Sequence, residues 1–319
     1  MSKSNIVAVI DVGSNSIKLL VAQKGSDGRS LEKLFSKTLE VRISTGIGKQ
    51  NLKLTKHAIR VGSQSIAVLV HLAEGYNPTS IKIVATSAVR DATNGVEFIE
   101  HVKQATNVPL DVLSGIEEAT LIVKGLRCDP SIAMMKRFVH MDIGGGSLEL
   151  VRFHQNSIEK ACSLQLGAVR LTEKFVLDST QMIDAETEAN IRNYVLTTVT
   201  DSGYRFEPVT DPMIVTGGAF SVIRSILAAQ SGKKMEDTLP ILHKDAIAEL
   251  KKTLCGLSLD ERKNIPGLPM ERADVIPAAL ITIHTILELS GREIITQSSY
   301  NLRYGIAAEL LETDPEPSI

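Results

Sequence analysis

Between residues 5 and 24, short apolar runs flank a Gly/Ser/Asn turn, DVGSNS, and the pattern predicts two strands joined as a β-hairpin. A third strand is expected near LFSKTLEVRI. From about Thr55 to Ala73 the spacing changes. Ile59, Ile66, Leu69 and Leu72 recur at helical intervals, which predicts a helix with one apolar face. SIKIVATSAVRDA reads as a buried strand leading through a polar turn into a helix, and PLDVLSG followed by EEATLIVKGL as a strand feeding another. Ser114 and Glu117 match the S-x-x-E capping box, in which the serine bonds forward to a helix amide and the glutamate reaches back. That occupies Glu117. Glu118 projects about 100° further round the helix and is left for other work.

From Phe138 the hairpin pattern restarts as FVHMD, a glycine turn and SLELVRF, with a third strand around IEKACSLQLG. A helix from about Asp184 to Val199, a strand and glycine turn in PMIVTGGAFSVI, and helices at about 243–255 and 273–289 complete the series. The second half therefore repeats the plan of the first. Asp11 falls on Asp142, Gly13 on Gly144, Ser16 on Ser147 and Leu19 on Leu150. The boundary is expected near residues 125–130, and the terminal DPEPSI reads as a loose tail.

Length supports this division, because 319 residues at roughly 150 per domain give about two. With 43% hydrophobic and 23% charged residues, neither disorder nor a fibrous repeat is indicated. A net charge of −2 gives no support to nucleic-acid or membrane binding, and the absence of Trp argues against base stacking. Cys128, Cys162 and Cys255 are far apart with no CxxC, so neither a disulfide framework nor a zinc site is expected; a reducing, cytoplasmic setting fits. No signal peptide opens the chain, since Asp11 interrupts the first apolar run. IPAALITIHTILEL, residues 276–289, is shorter than the roughly 20 residues that span a bilayer and reads as a buried helix, with His284 an interior hydrogen-bonded residue.

A turn dense in Gly and Ser exposes backbone N–H groups that bind phosphate oxygens, and glycine lets a ligand approach closely. Taken singly, each turn suits a tight hairpin equally well. Their duplication favours a pair of phosphate-binding turns. Asp11 and Asp142 stand just before them, where bare carboxylates repel phosphate; a divalent cation removes the conflict, and oxygen ligands favour Mg²⁺ or Mn²⁺ over zinc.

The stretches VIDVGSNSIKLLV, ATSAVRDATN, LSGIEEATL, MDIGGGSLELV, LQLGAVRLTE, VTGG, RADVIPAAL and LRYGIAAE together resemble the exopolyphosphatase/guanosine pentaphosphate phosphohydrolase (Ppx/GppA) family. The resemblance runs in family order from residue 8 to about 309. It implies an α/β fold of two ribonuclease H-like domains, of the actin-like ATPase superfamily, with an interdomain cleft. The domains are expected at residues 1–126, with the last helix at about 304–314 packing back onto them, and at 127–303. The additional C-terminal HD-like domain of long family members has no counterpart here, so a short two-domain form is expected.

The implied chemistry is Mg²⁺-dependent attack of water on the terminal phosphoanhydride of inorganic polyphosphate, releasing orthophosphate. Glu118 matches the family's catalytic base. Asp142 and Glu149 correspond to residues that orient metal and attacking water, with Asp11 a further metal ligand by its place before the first turn. The main-chain amides of Gly13, Ser14, Asn15 and Ser16 and of Gly144, Gly145, Gly146 and Ser147 are expected to hold phosphates. Arg90 matches a family arginine whose guanidinium fork suits phosphate; from the residues alone, an ion pair with Asp91 or a nearby Glu is the simpler reading. Leu148, Ala219, Asn301 and Tyr304 depart from the common family pattern. Guanosine pentaphosphate is the competing substrate, ahead of an ATPase or kinase reaction or a quiet sensor of polyphosphate or guanosine tetraphosphate. A homodimer is compatible with the resemblance.

Overall fold

The computed structural model describes residues 5–26, 30–47, 52–207 and 209–313; the expected DPEPSI tail lies outside the described residues. The chain divides into two compact units, Met1–Met134 with Tyr300–Ile319, and Met135–Ser299. The division at 134/135 stands beside a sequence expectation of 126/127.

The first unit contains β1 (Ile6–Val12), β2 (Ser16–Lys24), β3 (Leu31–Glu40), α1 (Lys56–Glu74), β4 (Ser80–Ala85), α2 (Ser87–Asp91), α3 (Gly95–Thr106), β5 (Leu110–Val112) and α4 (Gly115–Leu126), closed by a C-terminal helix, Leu302–Thr313. Its sheet has the order β3-β2-β1-β4-β5. β1 and β2 form the expected antiparallel hairpin, and β1 runs parallel to β4. Helices cover both faces, so β1 is a nearly continuous apolar run. Ala8, Ile10 and Val12 join the core built with Ile59, Ile66 and Leu69 of α1, while the C-terminal helix also packs against β1. α1 begins where the Thr55 side chain accepts from the Ala58 amide, and it buries a face repeating at three- and four-residue intervals.

The C-terminal helix crosses α4 closely. A Cβ added to Gly305 meets the Leu121 carbonyl oxygen at 1.8 Å, and one added to Gly125 meets the Asn301 carbonyl oxygen at 2.1 Å. Only glycine backbones fit at this crossing.

The second unit repeats the plan with β6 (Arg137–Ile143), β7 (Leu148–His154), β8 (Ser157–Leu164), α5 (Ala168–Phe175), α6 (Ala185–Asp201), β9 (Met213–Thr216), α7 (Gly218–Gln230), β10 (Ile241–His243), α8 (Lys244–Cys255), α9 (Leu259–Lys263), α10 (Ile276–Ser290) and β11 (Ile294–Gln297). Its sheet order is β10-β11-β9-β6-β7-β8. The central order β8-β7-β6-β9-β11 matches β3-β2-β1-β4-β5, and β10 adds an edge strand antiparallel to β11. α10 is buried on nearly all sides and packs against α5, α6, α7 and α8, which accounts for the apolar run at 276–289. Among the described residues no helix is long and apolar enough to cross a membrane. His284 is half-buried in α10, 3.8 Å from Glu288, and burial pushes its imidazole below the usual range.

Candidate active site

The glycine turn after β6 is shaped by the start of α5. The Gly144 carbonyl accepts from the Ala168 amide at 3.0 Å, the Gly145 carbonyl from the amides of Val169 and Arg170 at 2.9 and 3.1 Å, and the Gly146 carbonyl from Arg170 Nε at 2.8 Å. A trans peptide points its N–H opposite the preceding C=O. Drawing three successive carbonyls onto α5 therefore turns the amides of Gly145, Gly146 and Ser147 the other way. The approach is tight, because a Cβ on Gly167 meets backbone atoms of Gly145 and Gly146 at 2.4 Å.

The turn after β1 does the same with different partners. The Ser14 carbonyl accepts from the Ser44 amide and hydroxyl at 3.2 and 3.1 Å, and the Asn15 carbonyl from the amides of Val41 and Arg42 at 3.1 and 2.8 Å. The amides of Asn15 and Ser16 thus face away from residues 41–44. The Asn15 side chain props this loop, donating to Glu40 at 2.6 Å and accepting from Arg42 Nε at 3.1 Å.

Two expected phosphate donors need correction. The Gly13 amide donates to the Ser16 carbonyl at 3.1 Å and the Gly144 amide to the Ser147 carbonyl at 3.0 Å, so both close their own turns. Each array consists of the amides that follow.

Cross-strand pairing extends the comparison of the turns. In the second unit Thr216, Asp142, Glu149 and Ser163 stand in register on β9, β6, β7 and β8. In the first unit the same row reads Val84, Asp11, Lys18 and Thr38. The carboxylate before each turn therefore meets a lysine in one unit and a second carboxylate in the other. Like charges directly opposite are destabilising, and Asp142 and Glu149 stand in that relation. Asp11, expected as a metal ligand, has Lys18 opposite and feels the charge of Arg303 from the C-terminal helix. Burial raises the Asp11 pKa, and the two cations pull it back.

Both carboxylates of the second unit are oriented. Glu149, almost fully buried, accepts from the Ser163 hydroxyl at 2.8 Å. Asp142 Oδ2 accepts from the Thr216 hydroxyl, whose oxygen lies 3.0 Å from Nε2 of the buried His140. Burial pushes the His140 imidazole down to about 3, so it is neutral at neutral pH.

In the first unit the capping box forms as expected, with Ser114 and Glu117 bonded reciprocally at the start of α4. Glu118 is not left alone. It is buried, and Arg90 Nη1 lies 2.9 Å from its Oε2 and 2.9 Å from the Leu113 carbonyl oxygen. Arg90 Nε is a further 3.9 Å from Asp91. The Ser14 hydroxyl is 3.0 Å from that of Ser87, at the start of α2, the helix that carries Arg90. α2 thereby joins the first turn to the Arg90–Glu118 pair.

The sequence pattern left Ser87, Lys18, Ser163, Thr216, Arg170 and His140 without roles. For two of them a signal was present: Lys18 and Glu149 share the offset that aligns the two aspartates, and His140 precedes Asp142 by two residues, on the same strand face. Thr216 and Ser163 follow only from strand pairing.

The model of the Ppx/GppA phosphatase family matches residues 20–314. A guanosine-5'-triphosphate,3'-diphosphate pyrophosphatase of Vibrio parahaemolyticus is 30% identical over 315 residues, covering 97% of this chain and 60% of that protein. The chain spans about 60% of the length of the curated relatives it matches. The crystal structure of an exopolyphosphatase from Cytophaga hutchinsonii is similar at a TM-score of 0.85 and 24% identity, covering 97% of this chain and 98% of that one. The Aquifex aeolicus member of the Ppx/GppA family gives 0.78 and 23%, covering 98% and 100%. These structures share the fold, that of actin-like ATPases with two α/β domains. On the extent of the family match, the chain belongs to the Ppx/GppA phosphatase family.

Proposed function

We propose that the protein is an exopolyphosphatase that hydrolyses the terminal phosphoanhydride of inorganic polyphosphate with Mg²⁺. The observation that carries this reading is the duplicated turn, in which carbonyls are drawn aside and amides face the other way, set beside Asp142 and Glu149 in one unit and linked to Arg90 and Glu118 in the other. The donor set suits a hard cation: two carboxylates on adjacent strands, both fixed by hydroxyls. Among the described residues no group of three or more His, Cys, Asp and Glu is placed to hold a metal ion, so the proposed ion rests on two protein carboxylates. Mg²⁺ commonly takes one or two carboxylates and completes its shell with water and substrate phosphate. When bound at Asp142 and Glu149 it supplies charge neutralisation to the phosphates.

The chain's own groups supply positioning and a base. Amides of Asn15, Ser16, Gly145, Gly146 and Ser147 bind phosphate oxygens. Arg90 keeps Glu118 in place through Nη1, and its fork retains donors for a phosphate. A water oxygen bonds to the terminal phosphorus as the bridging P–O bond breaks. The water proton passes to the Glu118 carboxylate, and the shortened chain departs with the bridging oxygen. Mn²⁺ is an alternative metal, and we extend the reading to a cytoplasmic enzyme acting as a homodimer.

The name of the Vibrio relative favours a second substrate, guanosine pentaphosphate, which presents the same terminal phosphoanhydride. The test is orthophosphate release across a polyphosphate length series, with guanosine pentaphosphate and ATP alongside, with Mg²⁺ and with a chelator. Mg²⁺-dependent release, fastest from polyphosphate, is expected. Faster release from guanosine pentaphosphate selects the second reading, and transfer of phosphate to an acceptor without release overturns both.

A further inference from the structure

β6 carries His140 two residues before Asp142, so both side chains rise from one face of the strand, and β9 places Thr216 in register with Asp142. His140 and Thr216 are both fully buried. The Thr216 hydroxyl gives its single hydrogen to Asp142 Oδ2. In its 3.0 Å contact with His140 Nε2 the threonine oxygen therefore accepts, and the ring nitrogen donates. This assigns the tautomer with hydrogen on Nε2. Nδ1 is then a bare acceptor, and it is buried with no hydrogen-bond partner.

An unmet buried acceptor is a cost that an aliphatic residue in the same strand avoids. What the imidazole provides in return is one directed donor. We propose that His140 is a positioning residue for Asp142: donors running from His140 through Thr216 fix the plane of the carboxylate before metal and phosphate arrive. Such partners orient metal-ligating groups, and losing them typically lowers metal affinity or activity about 10- to 100-fold. The first unit has no such chain, because Val84 occupies the place of Thr216 and Val9 that of His140. There Lys18 and Arg303 supply the charge instead.

The proposal rests on the reading of Asp142 as a metal ligand, and the test separates the two. The Mg²⁺ concentration giving half-maximal phosphate release is measured for wild type, His140→Leu, His140→Asn, His140→Gln, Thr216→Val, Thr216→Ser and Asp142→Asn, with folding followed by circular dichroism. Gln places its amide nitrogen where Nε2 stands, and Asn does not. His140→Leu, His140→Asn and Thr216→Val are expected to raise the Mg²⁺ requirement about tenfold, with kcat at saturating Mg²⁺ changing less than threefold; His140→Gln and Thr216→Ser recover most of the wild-type requirement. If His140→Leu does not fold, the Asn/Gln and Val/Ser pairs decide. In metal-free protein labelled with ¹⁵N-histidine, His140 is expected to show a protonated Nε2 and an unprotonated Nδ1. Hydrogen on Nδ1 overturns the proposal, as does an unchanged Mg²⁺ requirement in His140→Asn and Thr216→Val while Asp142→Asn abolishes Mg²⁺ activation. If Asp142→Asn itself responds to Mg²⁺ as wild type does, the metal-ligand reading fails and takes this proposal with it.

Discussion

Glu118 sits at the start of α4 with its neighbour Glu117 taken up by the cap, and it meets a guanidinium that arrives from α2. A carboxylate buried this way needs a cationic partner, since an unpaired buried charge is costly. The pair also suits the proposed reaction, because Arg90 holds the Glu118 carboxylate in one orientation. Replacement by glutamine keeps size and hydrogen bonding but removes the proton acceptor. Glu118→Gln is expected to lose about 10²- to 10⁴-fold in turnover, with circular dichroism and phosphate binding unchanged; near-wild-type phosphate release removes Glu118 from the base role. At this scale the sequence was informative about identity and less so about state. The capping box showed which glutamate was occupied, since its partners lie three residues apart. Arg90 and Glu118 are distant in the chain, and only the turns after β4 and β5 bring them together.

At the level of elements, α4 owes its placement to the crossing with the C-terminal helix. Gly125 and Gly305 let backbones touch, and any side chain there meets carbonyl oxygens that have no freedom to withdraw. Overpacking of this kind typically costs about 1–3 kcal/mol. Gly305→Ala is expected to lower the urea midpoint accordingly without changing the slope, and to reduce phosphate release because α4 carries Glu118. An unchanged midpoint would mean that the helices are more widely spaced. Helix propensity counts Gly305 as a blemish in its helix, so the sequence pattern offered no sign that it is the contact. The strands were easier to read, because β1 and β6 carry short apolar runs that end at an aspartate and the turns after them are marked by glycine. The amide direction in those turns was not legible, since it depends on carbonyl acceptors paired with residues 41–44 and 167–170.

Across the whole molecule, the repeat seen in the sequence holds at the level of strand order, while charge breaks its symmetry: the row that reads Asp11, Lys18 in one unit reads Asp142, Glu149 in the other. None of the three thiols is in a disulfide; Cys162 directly precedes Ser163 of the second-unit row on β8. Burial pushes Cys128 and Cys162 up to about 11 and Cys255 up to about 12. In the unfolded chain they ionise near pH 8.5. Above that range the unfolded state binds fewer protons than the folded one, so the thiols' contribution to stability is full below about pH 8.5 and is lost as pH rises towards about 12. The denaturation midpoint is expected to decline over that range, less steeply in Cys255→Ala, and thiol reagents at about pH 7.5 to react slowly with the native protein. Fast labelling of all three thiols at that pH would contradict their burial.

The discontinuity of the first unit also sets an order of events during synthesis. β1 to α4 leave the ribosome first, yet the helix that covers β1 and crosses α4 emerges only after every residue of the second unit. Domains usually complete themselves from the N-terminal end as they emerge. Here the later unit has all of its strands before the earlier one has its last layer. The helix bearing Glu118 reaches its final setting only after the second unit has emerged, so a nascent chain carries both glycine turns well before α4 meets the helix that crosses it.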